Sequence, residues 1–183
     1  RTTTEFNPPA ILFICGGSIA EENSFQQLVD WKHKRGYEVT VESLSSIGSS
    51  TINIKNYIQN AYDNWENPPS FICLVGDATG NYSIPTYTEY QSGYNGEGDH
   101  PYTQLDGNDL ISDVALGRLP VRSTDDMETI SAKVIGYEKA YTNYQNQNEW
   151  FERGALVGDP SDSGISTIIT NEYIEQLLEN NNF

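Results

Sequence analysis

Histidine, cysteine and positive charge are all scarce in this sequence. Its 183 residues include two His, two Cys and one Met, and ten Lys and Arg stand against 26 Asp and Glu, for a net charge of −16. So few cations exclude nucleic acid and anionic membrane as partners, because phosphate recognition needs clustered Lys and Arg. Two thiols provide neither a disulfide framework nor a zinc spacing. Cys15 and Cys73 both lie inside apolar runs, AILFIC and SFICLV, and read as core residues. His33, in WKHKRG, reads as a solvated helix end, and His100, in GDHPY, as a solvated loop residue. No Cys–His pair or Ser–His–Asp group can be assembled from these residues. No apolar run approaches the roughly 20 residues of a membrane span. The opening RTTTEFNPPA is polar, unlike a signal peptide, and reads as the start of a processed or trimmed chain. The acidic balance suits a cationic partner, a bound divalent metal, or a soluble secreted protein.

What is present is an alternation of short apolar runs with longer amphipathic ones. AILFIC (10–15), YEVTVESL, SFICLVGD (70–77), DVALGRLP (113–120) and GALVGD (154–159) read as strands. SFQQLVDWKHKRG carries Phe25, Leu28, Val29 and Trp31 at helical spacing, with Gly36 as its stop. TINIKNYIQNAYDNW carries Ile54, Tyr57, Ile58, Ala61 and Tyr62 on one stripe. STDDMETISAKVIGYEKAY opens with Ser123 and Asp126 spaced as a capping box and buries Met127, Ile130, Val134 and Tyr137. ISTIITNEYIEQLLENNN reads as a last helix. Continuous apolar strands alternating with helices predict an α/β protein, a parallel sheet with helices on both faces. Residues 78–112, rich in Gly, Tyr, Asn and Thr, read as one long loop, and TNYQNQNEW as a linker.

Three places are candidates for chemistry. CGGS (15–18) follows the first strand, but without G-x-G-x-x-G or G-K-[ST] it reads as a plain turn. Asp77 ends the third strand, where ligands collect in open α/β sheets. A phosphoacceptor role for it would need acids after the first strand, where Gly16, Gly17 and Ser18 stand instead. The densest oxygen donors lie in PYTQLDGNDLISDVALGRLP, with Asp106, Asp109 and Asp113 around Asn108. Calcium accepts six to eight oxygens, backbone carbonyls included, and the loop glycine lets the chain turn. A solvated Asp-Gly turn is the alternative, and acid/base catalysis has no pairing of roles to support it.

Several stretches in order resemble the gingipain-type cysteine peptidases: LVDWKHKRGYEVTV, FICLVGD followed by IP at 84–85, GDHPYTQLDGNDLISDVALGRLP with GR at 117–118, and KVIGYEKAY. These are secreted bacterial endopeptidases with a caspase-like catalytic domain. The resemblance implies a three-layer first subdomain over residues 1–143. Residues 144–183 would then be a linker and the first strand–helix unit of an incomplete second subdomain. The family's catalytic His and Cys lie later in that second subdomain, so no catalytic residue carries over, and the chain alone is expected to be inactive. The resemblance also implies a calcium ion held by the side chains of Asp77, Asp109 and Asp113 and the carbonyls of Asp106 and Ile111. Where Arg-specific members place an Asp against the substrate's basic side chain, this chain has Thr167, with Asp162 nearby. The implied partner is a protein or peptide substrate bound through the rest of the domain, and the implied location is secreted or at the bacterial cell surface. A non-catalytic, calcium-stabilised structural or adhesion module of the same fold is the alternative, and a flavodoxin-like or receiver domain a third reading.

Overall fold

The computed structural model describes residues 7–91, 94–140, 154–158, 161 and 165–181. By contacts the chain divides into Arg1–Glu138 and Lys139–Phe183. The expected boundary after residue 143 lies outside the described residues.

In the first unit, β1 (Ala10–Cys15), β2 (Glu38–Ser43), β3 (Phe71–Val75) and β6 (Ala115–Leu119) form one parallel sheet in the order β2-β1-β3-β6. Helices α1 (Asn23–Lys34), α2 (Leu44–Ile47), α3 (Thr51–Asn64) and α4 (Thr124–Ala140) cover it. The two-residue period of a strand sorts the core into two layers. Leu12 and Ile14 of β1 join Ile72 and Leu74 of β3 against Ile54, Ile58 and Ala61 of α3. Ile11, Phe13 and Cys15 join Val75 against Phe25, Leu28 and Val29 of α1 and Met127 of α4. The expected α/β architecture, three layers around a parallel sheet, is therefore what forms. β1 is buried at every position because both faces are covered.

The capping box at α4 closes as expected. Asp126 N donates to Ser123 Oγ at 3.1 Å, and Ser123 N donates back to Asp126 Oδ2 at 3.0 Å. One residue of its stripe is corrected: Tyr137 is 62% exposed. At about 100° per residue it sits roughly 80° off the line from Met127, while Glu138 returns to within about 20° of it. Glu138 is the residue that reaches α1, accepting from Trp31 Nε1 at 2.7 Å and pairing with Lys32.

Residues 78–112 are not a plain loop. They hold an antiparallel hairpin, β4 (Tyr87–Gln91) with β5 (Tyr94–Gly98), and a 3₁₀ turn at His100–Thr103. Tyr102, fully buried, anchors the segment, donating from its hydroxyl to Pro85 O at 2.7 Å and packing edge-on to Tyr87.

In the second unit, helix α5 (Ser166–Asn180) forms as expected. The strand expected at 154–159 does not: residues 154–158 carry no strand, and residue 159 lies outside the described residues. A strand exists only through a neighbour's hydrogen bonds, and among the described residues this unit offers no second strand. No helix among the described residues is long and apolar enough to cross a membrane.

Candidate functional site

Order β2-β1-β3 means that the chain leaves β1 to one side and returns on the other. The carboxyl ends of β1 and β3 therefore flank the crevice where such sheets take ligands. Here the chain fills that crevice itself. A Cβ on Gly16 would lie 2.1 Å from the Tyr82 carbonyl oxygen, and one on Gly76 2.0 Å from the same atom. The glycines of CGGS and LVGD are thus seats for the backbone at Tyr82, which stands where a flavin or phosphate would have to enter.

The same edge holds Asp77. Its amide donates to Val121 O at 3.1 Å, and its carbonyl accepts from Ile84 N at 2.8 Å. Its carboxylate pairs with Arg122 and accepts from Ala78 N at 2.6 Å. The bond from Arg122, then that from Ala78, holds the carboxyl below the usual carboxylate range. Beside it Arg118 of β6 grips Asp99 with two bonds of 2.7 Å and donates to the carbonyls of Gly76 at 2.8 Å and Ile84 at 3.0 Å. One guanidinium therefore ties the end of β3, the loop after it and the end of the hairpin. Arg118 and Arg122 were not singled out in the sequence, although GR at 117–118 was among the stretches carrying the resemblance.

The acidic loop lies elsewhere. Asp113 Oδ2 accepts from Leu105 N at 2.6 Å and Asp106 N at 2.8 Å, and Asp113 N donates to Thr103 O at 2.9 Å. Asp109 Oδ1 accepts from Ile111 N at 2.8 Å. On the α3 side, Lys55 Nζ donates to Pro101 O at 2.7 Å and to Gln104 O, and Gln59 Nε2 donates to Leu105 O at 2.9 Å. Burial lowers the Lys55 pKa and the Asp113 carboxylate opposes that shift.

The register separates the expected ligands. Phe71 pairs with Ala115 and Val75 with Leu119. Asp77 follows β3, so it stands at the carboxyl edge, while Asp113 precedes β6 and stands at the amino edge. The four intervals between those paired positions span roughly 13 Å at about 3.3 Å each, before the flanking residues are added. Calcium holds its ligands at about 2.3–2.6 Å, so one ion cannot take both carboxylates. Asp106, Asp109, Ile111 and Asp113 share the loop and Asp77 does not. Among the described residues, no three His, Cys, Asp or Glu side chains gather as a metal site. The five-residue set does not fit a single ion.

Asp113 gives an acid-stability prediction. Its carboxyl is held below the usual range by the amides of Asp106 and then Leu105. A folded pKa below the unfolded one stabilises the fold above about pH 4, and that share is lost as pH falls through the folded value. The difference in urea midpoint between pH 7 and pH 3 should therefore shrink in Asp113→Asn. An unchanged difference would remove Asp113 from the acid response.

The thiols and imidazoles match their expected places. Cys15 is buried and Cys73 lines the same core layer. Burial, then the neighbouring Cys73, raises the Cys15 pKa far above its ordinary value, and burial pushes Cys73 up to about 12. Neither is a thiolate at neutral pH. His33 and His100 are exposed on the surface.

The family model of peptidase family C25 matches residues 4–183. The chain belongs to peptidase family C25. Gingipain R2 of Porphyromonas gingivalis strain W83 is 30% identical over 164 residues, which is 86% of this chain and 21% of the relative. A gingipain R1 of the same species is also 30% identical over 164 residues, 9% of its length. The crystal structure of the Arg-specific cysteine proteinase gingipain R superposes with a TM-score of 0.67 at 26% identity, covering 95% of this chain and 39% of that one. A complex of P. gingivalis gingipain pro- and mature domains gives 0.68 over 93% of this chain. The fold of this C25 chain is thus the caspase-like fold of those neighbours. The chain spans about a fifth of the length of its first curated relative.

Proposed function

We propose that this C25 chain is part of the catalytic domain of a secreted bacterial cysteine endopeptidase acting on proteins or peptides, and that it forms the scaffold rather than the catalytic centre. The observation that carries the reading is the family match across 4–183 together with the superposition on 39% of a gingipain chain. The chemistry of the residues supports the division. Both thiols are core groups held protonated by burial, and both imidazoles lie on the surface. An activated nucleophile needs a lowered pKa or an adjacent base. Thr167, on α5, stands where the resemblance places the Asp that receives a basic side chain, and it is neutral. Asp162 lies outside the described residues. A preference for Arg is therefore not expected.

The test uses the full-length protein that contains this chain. A thiol-alkylating reagent should abolish peptide hydrolysis, while Cys15→Ala and Cys73→Ala should each leave the rate per folded molecule unchanged. Loss of activity in either variant with an intact circular dichroism spectrum would place the nucleophile in this chain and overturn the division. Activity untouched by the alkylating reagent would overturn the cysteine peptidase itself.

A further inference from the structure

We propose that the acidic 99–113 segment is ordered by the chain's own cation, the Lys55 ammonium, in the place a divalent ion would take, and that Arg122 does the same for Asp77.

Three carbonyls of the segment, at Pro101, Gln104 and Leu105, converge on α3. Convergent carbonyls beside carboxylates are what calcium coordinates. Here they already have donors. Lys55 and Gln59 stand four residues apart, so they lie on one face of α3. The ammonium serves Pro101 and Gln104, and the amide serves Leu105. Lys carries three donors on a compact charge, so one ammonium can satisfy several acceptors as an ion does.

Asp113 completes the arrangement. It supplies the negative charge that opposes the burial shift at Lys55. Its Oδ2 takes the amides of Leu105 and Asp106, while its own amide binds Thr103 O. Thr103 Oγ1 donates to Ser112 Oγ at 2.9 Å, a second tie across the same loop. Segment 101–106 is thereby fastened to α3 on one side and to 112–113 on the other. A calcium ion on the Pro101 and Gln104 carbonyls would stand beside the ammonium, and like charge at that range is repulsive.

At the other edge of the sheet Asp77 has Arg122 as its cation. Each expected calcium carboxylate that the sheet separates thus has a cation of the chain's own: Arg122 for Asp77 and Lys55 near Asp113. The inference concerns the scaffold and stands whether or not the whole protein is a peptidase.

The experiment is amide hydrogen exchange and thermal unfolding of the full chain, in excess calcium and in excess EDTA. Wild type should melt at the same temperature in both, with equal exchange at Leu105, Asp106 and Asp113. Lys55→Met removes the two hydrogen bonds to the Pro101 and Gln104 carbonyls. Exchange at those three amides should therefore rise about tenfold or more, calcium should not restore it, and Lys55→Arg should keep part of the protection. A melting temperature that falls in EDTA, exchange that calcium slows in either protein, or a Lys55→Met variant as protected as wild type would overturn the proposal. Should Lys55→Met fail to fold, the wild-type comparison and Lys55→Arg still decide it.

Discussion

Gly76→Ala is expected to cost more than about 4 kcal/mol, in the range reserved for a specific structural fault. The new methyl would lie 2.0 Å from the Tyr82 carbonyl oxygen and 3.1 Å from Ile84 Cγ1. The first contact is with backbone, which cannot rotate away. Nor can the segment lift off, because Ile84 N is bound to Asp77 O and Ile84 O to Arg118. The backbone at Gly76 also has φ +154°, which a side chain disfavours. Gly36→Ala separates the two causes. Its φ is +90° with nothing within 4 Å of the added carbon, so strain alone should cost about 1–2 kcal/mol. Urea unfolding of the two variants checks this. A Gly76→Ala as mild as Gly36→Ala would mean that the crevice between β1 and β3 is not filled by Tyr82.

Arg118→Met should be the second large loss. The side chains of Arg118 and Asp99 are only 14% and 18% exposed, so removal of the guanidinium strands a carboxylate and leaves two carbonyls without their donor. Breaking a buried pair from one side costs about 3–5 kcal/mol. The remaining water access draws the expectation to about 3 kcal/mol, or very roughly 6–12 °C in melting temperature for a domain of this size. Arg118→Lys restores the charge but not the forked geometry, and should recover part of the loss. The double variant Arg118→Met with Asp99→Asn removes the stranded charge as well, and should be less destabilised than Arg118→Met alone. Equal losses in the two would show that the carboxylate is not what Arg118 protects.

Both predictions concern residues that bear on function only through position. The sequence made Asp77 and the 106–113 acids prominent because each stands beside an apolar run. It also held the clue that separates them. In a parallel sheet, the residue after one strand and the residue before its neighbour lie on opposite edges. SFICLVGD ends with its Asp, whereas DVALGRLP begins with one. Once both are strands of one parallel sheet, Asp77 and Asp113 cannot meet. The cations were harder to find, because nothing in a single Arg or Lys says which carbonyls will converge on it. The hairpin at 87–98 was hidden for a related reason. Its Tyr, Gly and Asn carry little alternation, and its pairing comes from the opposite strand.

The sequence by itself determined the layers and the family. The continuous apolar runs AILFIC and FICLV, the stripes of α1 and α3, and the Ser123–Asp126 cap are local patterns whose physics is set by neighbours along the chain. The same locality made the C25 resemblance readable from four short stretches. Only the tertiary structure decided what holds the carboxyl edge and the acidic loop. Tyr82 over Gly16, Arg118 among Asp99, Gly76 and Ile84, and Lys55 under Pro101 and Gln104 join residues 19 to 66 positions apart. Such contacts depend on how strands are ordered and in which direction they run, which no short window of sequence contains.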